Sequence, residues 1–162
     1  MRCLVIDDDE SPRALVAAVL RRHGHESAGV ENGDQAIAAM DSGEFDFAIV
    51  DMELPGTDGA TLTAELRGRY PDLKVLIVSG HDDRRYILSA LEAGANGYLL
   101  KDDVGEFLPA ALHDIEAGFT LLSPRIHTGT LRKLLRVLGR PVVEARSEPR
   151  SRSDLKPVQP PA

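Results

Sequence analysis

Phe45–Gly59 reads FDFAIVDMELPGTDG, and its reading decides the fold. The apolar residues Phe45, Phe47, Ala48, Ile49 and Val50 stop abruptly on Asp51. A short apolar run bounded by polar residues is the pattern of a strand covered on both faces. A buried strand over Phe45–Val50 is therefore predicted. Pro55-Gly56 and Gly59 then open a loop. A carboxylate at the tip of such a strand has no packing role. It becomes the centre of a site only if other stretches deliver matching groups to the same edge.

Working outward, other stretches do so. The Cys3–Ile6 run ends in Asp7-Asp8-Asp9-Glu10. Val75–Val78 ends on Ser79-Gly80, and Gly97–Leu100 ends on Lys101. Glu26–Val30 is a weaker strand, followed by a turn at Glu31-Asn32-Gly33. Helical patterns separate these runs. Ser11-Pro12 supplies a cap and a first-turn Pro, Ala14, Leu15, Ala18, Val19 and Leu20 recur at helical spacing, and Gly24 stops the helix. Further helices are expected over Asp34–Met40, from Thr57 or Asp58 to about Arg69, over Asp82–Ala93 and over Val104–Ala117. Pro109 requires the last of these to start late or to bend. Alternation of strand and helix through five strands, with short connections, implies parallel strands, right-handed crossovers and helices on both faces. The predicted fold is α/β, a doubly wound five-stranded parallel sheet. In such sheets the site lies outside the carboxyl ends of the strands.

Composition narrows the function. The chain has 162 residues, 43% of them apolar and 4% aromatic, with no Trp, so the core is expected to be aliphatic. No apolar run approaches the ~18 residues of a membrane span. The opening MRCLVIDDDE is no signal peptide, and the single Cys3 fits a core position in a reducing cytoplasm. The net charge is −7, yet from Arg125 onward nine Lys+Arg face three Asp+Glu. An acidic body therefore carries a basic end, and the body is not expected to bind nucleic acid broadly.

The fold rule brings Asp7, Asp8, Asp51, Ser79 and Lys101 to one edge. Clustered carboxylates repel and take up protons unless a cation neutralises them. A small octahedral ion such as Mg²⁺, held by one or two carboxylates plus water and phosphate, suits this donor set. Thiolate and clustered His ligands are absent, which argues against zinc and copper. Lys101 can neutralise a phosphoryl oxygen, Ser79 can hydrogen-bond it, and Asp51 can serve as a nucleophile forming an aspartyl-phosphate. Asp7-Asp8, a pair, suit the metal. Alone, each residue has an ordinary explanation as a cap, a helix-start charge or a solvated Lys. Their joint occurrence at four strand ends does not.

IDDD at Ile6–Asp9, VDMELPGTDG at Val50–Gly59, VSG at Val78–Gly80 and GANGYLLKDD at Gly94–Asp103 resemble the receiver domains of two-component response regulators. The match covers roughly Arg2–Gly118. The resemblance implies a flavodoxin-like sheet of order 2-1-3-4-5. It implies Asp51 as phospho-acceptor, Mg²⁺ on the Asp8 and Asp51 side chains and the Glu53 backbone carbonyl, and Asp7 holding the ion mainly through water. Lys101 binds the phosphoryl group, Ser79 is the switch hydroxyl and Tyr98 the aromatic that moves inward with it. His81, two residues past Ser79, tunes dephosphorylation. The donor is a sensor histidine kinase, a phosphotransfer protein or a small acyl phosphate. The chain is then a cytoplasmic signalling switch that acts on a downstream protein target, and no enzyme beyond its own phosphorylation and dephosphorylation.

Asp102 stands where most receivers have Pro, and KD with GFTLLSP at Gly118–Pro124 resembles the subfamily that carries a LuxR-type helix-turn-helix output. No such output is legible here, so both a stand-alone receiver and the receiver part of a longer DNA-binding regulator stay open, and direct DNA binding is not expected. The expected organisation is a receiver domain over 1–120, an amphipathic helix or linker over 121–138, and a disordered basic Pro-rich tail over 139–162. Homodimerisation through the last helices is a further expectation. Two alternatives remain: a phosphorylation-independent interaction module, and a metal-dependent phosphatase with Glu53 as acid/base.

Overall fold

The computed structural model describes residues 1–127, 139 and 142–154. Seven strands form one parallel sheet: β1 (Arg2–Ile6), β2 (Glu26–Val30), β3 (Phe47–Asp51), β4 (Lys74–Ser79), β5 (Gly97–Leu100), β6 (Thr120–Leu122) and β7 (Val142–Glu144). Their order is β2-β1-β3-β4-β5-β6-β7. Helices α1 (Glu10–Arg22), α2 (Gly33–Ser42), α3 (Gly59–Arg69), α4 (Arg84–Glu92) and α5 (Val104–Glu116) make the crossovers, and a short α6 spans Pro124–His127. The first five strands follow the predicted order, a flavodoxin-like arrangement.

Strand alternation sorts the core onto two faces. Leu4, Ile6, Ala48, Val50, Val75, Ile77, Tyr98 and Leu100 share one face with Leu62, Leu66, Ile87 and Leu91. Cys3, Val5, Phe47, Ile49, Leu76, Val78 and Leu99 share the other with Val16, Leu20, Leu108, Leu112 and Ile115. Both faces are apolar because helices cover both. Cys3 is a core residue, and burial pushes its thiol up to about 11, which disfavours the reactive thiolate.

Several expectations are corrected. The third strand starts at Phe47 and includes Asp51. Helix α1 is capped by Asp9, whose carboxylate accepts from the Ser11 amide at 3.2 Å, so Ser11 lies inside the helix. That helix buries Val16, Val19 and Leu20, while Leu15 is 49% exposed. Helix α5 starts at Val104 as expected from the apolar pattern, with Pro109 inside it, so the late start that Pro109 suggested does not occur. Two strands extend the five-stranded sheet, because Thr120–Leu122 pairs with β5 and Val142–Glu144 pairs with β6. Residues 142–154 thus carry a strand and a buried Arg150 where disorder was expected. Composition suggested a tail, but Val142-Val143 can pair and Arg150 meets a buried carboxylate, Asp114. Of the amphipathic helix or linker expected over 121–138, residues 128–138 lie outside the described residues.

Candidate phosphoryl and cation site

Asp7 follows β1 directly and Asp51 ends β3, so two adjacent rigid strands present their carboxylates side by side. Oxygen atoms of Asp7, Asp8 and Asp51 all lie within 4.8 Å of one another. Asp7 and Asp51 are buried and Asp8 is exposed. Lys101, just past β5, reaches in from the other side. Its Nζ stands 3.5 Å from Asp7 Oδ2 and 3.5 Å from Asp51 Oδ2.

The charges do not balance. Burial, and then the neighbouring Asp7, push the Asp51 carboxyl up to about 6; Lys101 and the Glu53 amide pull the other way without cancelling them. Burial pushes the Lys101 ammonium down, but Asp51 and Asp7 outweigh it and leave it above its ordinary value. Three carboxylates against one ammonium leave room for a divalent cation. The all-oxygen donor set suits a hard ion such as Mg²⁺, with Asp8 open to water.

Close approach of the backbone holds Asp51 in place. The Gly59 amide donates to the Met52 carbonyl at 2.7 Å. A Cβ on Gly59 would sit 2.5 Å from the Asp51 carbonyl oxygen and 2.8 Å from Met52 Cα. Only glycine lets α3 start this near the acceptor strand. Asp58 caps that helix, accepting from the Thr61 amide at 2.7 Å.

Ser79 is fully buried at the end of β4, and its Oγ accepts from the His81 amide at 3.1 Å. Tyr98 is fully buried too, with its hydroxyl donating to the His81 carbonyl at 2.7 Å. Burial pushes the Tyr98 phenol up to about 12, against a hydrogen bond to Ser79 that lowers it. Both side chains thus grip the loop that carries His81. The His81 ring in turn places Nε2 2.6 Å from Glu53 Oε1, across the mouth of the site.

The structure gathers Asp7, Asp8, Asp51 and Lys101 into one cluster and ties Ser79, Tyr98 and Glu53 to the loop that carries His81. Glu53 was expected to act through its carbonyl; its side chain is engaged by His81 and its amide by Asp51. Two contributors were not anticipated. The Arg13 guanidinium donates to the Asp7 carbonyl at 2.7 Å, from a helix position with no sequence signal of such reach. Ser123 Oγ accepts from the Leu100 amide at 2.8 Å, bracing the residue before Lys101. Nothing local in the Ser123-Pro124 sequence signals a contact with β5.

The cluster lies outside the carboxyl edge of a doubly wound sheet, where folds of this class place their sites. The family model for the response regulator receiver domain matches residues 3–112. Transcriptional regulatory protein DegU of Brevibacillus brevis is 29% identical over 141 residues, 86% of this chain and 60% of that protein. Chemotaxis protein CheY of Pseudomonas aeruginosa is 32% identical over 118 residues, 71% of this chain and 95% of that protein. Response regulator protein TrrA from Thermotoga maritima, solved in complex with Mg²⁺-BeF, superposes with a TM-score of 0.56 at 33% identity, covering 61% of this chain and 84% of that one. The chain belongs to the receiver-domain family of two-component response regulators, whose members are phosphorylation-dependent signalling switches. It spans 60% of the length of DegU.

Proposed function

We propose that Asp51 is the phospho-acceptor of this switch. The observation that carries the reading is the paired 3.5 Å approach of Lys101 to Asp51 and Asp7 beside an acidic cluster that still holds excess negative charge. A carboxylate oxygen of Asp51 attacks the phosphorus of a phosphohistidine or acyl phosphate. The new O–P bond forms as the P–N or P–O bond breaks, and the leaving imidazole or carboxylate keeps the electron pair. Lys101 sits where it can neutralise a phosphoryl oxygen, and Ser79 can turn its hydroxyl from the His81 amide toward the same group.

Asp7, Asp8 and Asp51 would hold Mg²⁺, with the Glu53 carbonyl as a further ligand. The ion would supply charge neutralisation for the incoming phosphoryl group. Drawing Ser79 toward phosphate frees the His81 amide. The loop then keeps its bond from the Tyr98 hydroxyl and its Glu53 contact but loses the one to Ser79, and this links acceptor state to surface shape. The His81–Glu53 pair would govern water access and so phosphate lifetime. The donor is a sensor histidine kinase or phosphotransfer protein, and the reader a protein target. The reaction is the protein's own modification, with no separate substrate turned over.

Intact-mass measurement after incubation with acetyl phosphate or phosphoramidate and Mg²⁺ tests this. One added phosphoryl mass, absent from Asp51→Asn, is expected. Equal labelling of the variant would refute it. No labelling by either donor would favour an interaction module instead.

A further inference from the structure

The C-terminal segment docks beside the strand that delivers Lys101. Strand β5 has only four residues, and its outer edge is bonded to β6. Leu121 N donates to Asn96 O at 3.1 Å, Ser123 N donates to Tyr98 O at 3.0 Å, and Leu100 N donates to Ser123 Oγ at 2.8 Å. Strand β6 is itself held on its far side by β7, with Thr120, Leu121 and Leu122 facing Val142, Val143 and Glu144. The Ala145 amide adds a 2.8 Å bond to Leu122 O.

What anchors β7 is a socket on α5. Asp114 is fully buried, and a buried carboxylate without a cation is strongly unfavourable. Its partner comes from 36 residues further along the chain. Arg150 Nη1 donates to Asp114 Oδ2 at 2.9 Å and the Arg150 amide donates to Oδ1 at 2.6 Å. Arg150 Nη2 donates to the Glu144 carbonyl at 2.6 Å, and the guanidinium lies over the Phe119 ring at 5.6 Å. The carboxylate, the aromatic ring and the strand edge all receive one residue, which is only 6% exposed. Ser147 Oγ adds a 3.0 Å bond to Glu106 on the same helix.

We propose that the edge of β6 and the Asp114 socket form a docking site for this chain's own Val142–Arg150 segment, and that its occupancy is coupled to the acceptor site. The proposal rests on the assignment of Asp51 as acceptor. The route is contiguous: Arg150 fixes β7, β7 fixes β6, and β6 holds β5 with Lys101 directed at Asp51 and Asp7. A phosphoryl group or its analogue that engages Lys101 favours the arrangement in which Lys101 is already placed. Docking and acceptor occupancy therefore favour each other, and linkage makes the effect reciprocal.

Hydrogen exchange of the full chain, followed by mass spectrometry with and without Mg²⁺ and beryllofluoride, tests this. Exchange over 142–150 is expected to slow by about five-fold or more when beryllofluoride is added. It should be independent of protein concentration. Arg150→Met should speed exchange over 142–150 and weaken beryllofluoride binding by the same factor. Asp114→Asn, which keeps the side chain's size, should do likewise, and Arg150→Lys should fall between. If beryllofluoride slows exchange around residues 51–59 and 79–82 but leaves 142–150 unchanged, the coupling is wrong and the acceptor assignment stands. If it changes neither region, both are overturned. Protection over 142–150 that grows with protein concentration would place a second copy's segment in the socket and overturn the intrachain reading.

Discussion

The acceptor carboxylate should weaken the metal-free fold at neutral pH. Burial and the proximity of Asp7 lift the Asp51 carboxyl from its ordinary 3.8 to about 6, even with Lys101 3.5 Å away. Below pH 4 the group is protonated in both folded and unfolded chains, and no cost arises. Between pH 4 and 6 the unfolded chain gives up its proton more readily, so stability falls as pH rises. Above pH 6 the cost is constant. At 1.36 kcal/mol per pKa unit it is about 3 kcal/mol. Screening by water at the open mouth reduces it to about 1–2 kcal/mol. Asp51→Asn keeps the shape and removes the charge. Urea unfolding in EDTA should therefore show the variant about 1–2 kcal/mol more stable than the native chain at pH 7, with the gap nearly closed at pH 4. Adding Mg²⁺ should narrow the gap at pH 7, since only the native cluster keeps all three carboxylates and binding stabilises the folded state. A variant less stable than the native chain at pH 7, or a gap that ignores pH, would refute the reasoning.

Other consequences follow from single contacts. Lys101→Met removes the competitor for both carboxylates, so Mg²⁺ affinity by titration should rise several-fold while labelling by acetyl phosphate slows by about 10²-fold. Gly59→Ala places a Cβ against the Asp51 backbone and should cost about 1–3 kcal/mol in thermal unfolding. Tyr98→Phe deprives the His81 carbonyl of its 2.7 Å donor and should cost about 1 kcal/mol, read in the same melts, with the fold retained by circular dichroism.

The sequence was legible where the signal is local and repeated. Two-face burial makes β1, β3, β4 and β5 continuous apolar runs, and each run leads directly to a residue of the proposed site. That is why Asp7, Asp51, Ser79 and Lys101 could be placed on one edge without coordinates. Strands β6 and β7 are three residues each, too short for periodicity to register. Val142-Val143 lie in a stretch whose Arg, Ser and Pro content argues for disorder, and the pairing that overrides composition is long-range. Asp114 follows His113 on α5, and nothing local in the sequence shows that it faces inward. Its buried partner, Arg150, lies far along the chain. The same holds for Arg13: its reach back to the Asp7 carbonyl depends on how α1 leaves β1. At the start of α1 the competition was between two good caps, and Asp9 won over Ser11.

The most direct test of the central claim is to locate the phosphoryl group. After phosphorylation by acetyl phosphate with Mg²⁺, borohydride reduces an aspartyl-phosphate to homoserine, which peptide sequencing by mass spectrometry places. Homoserine at position 51, and its loss in Asp51→Asn, is the predicted result. Homoserine at position 7 or 8 of the native chain, with position 51 unmodified, would contradict the account.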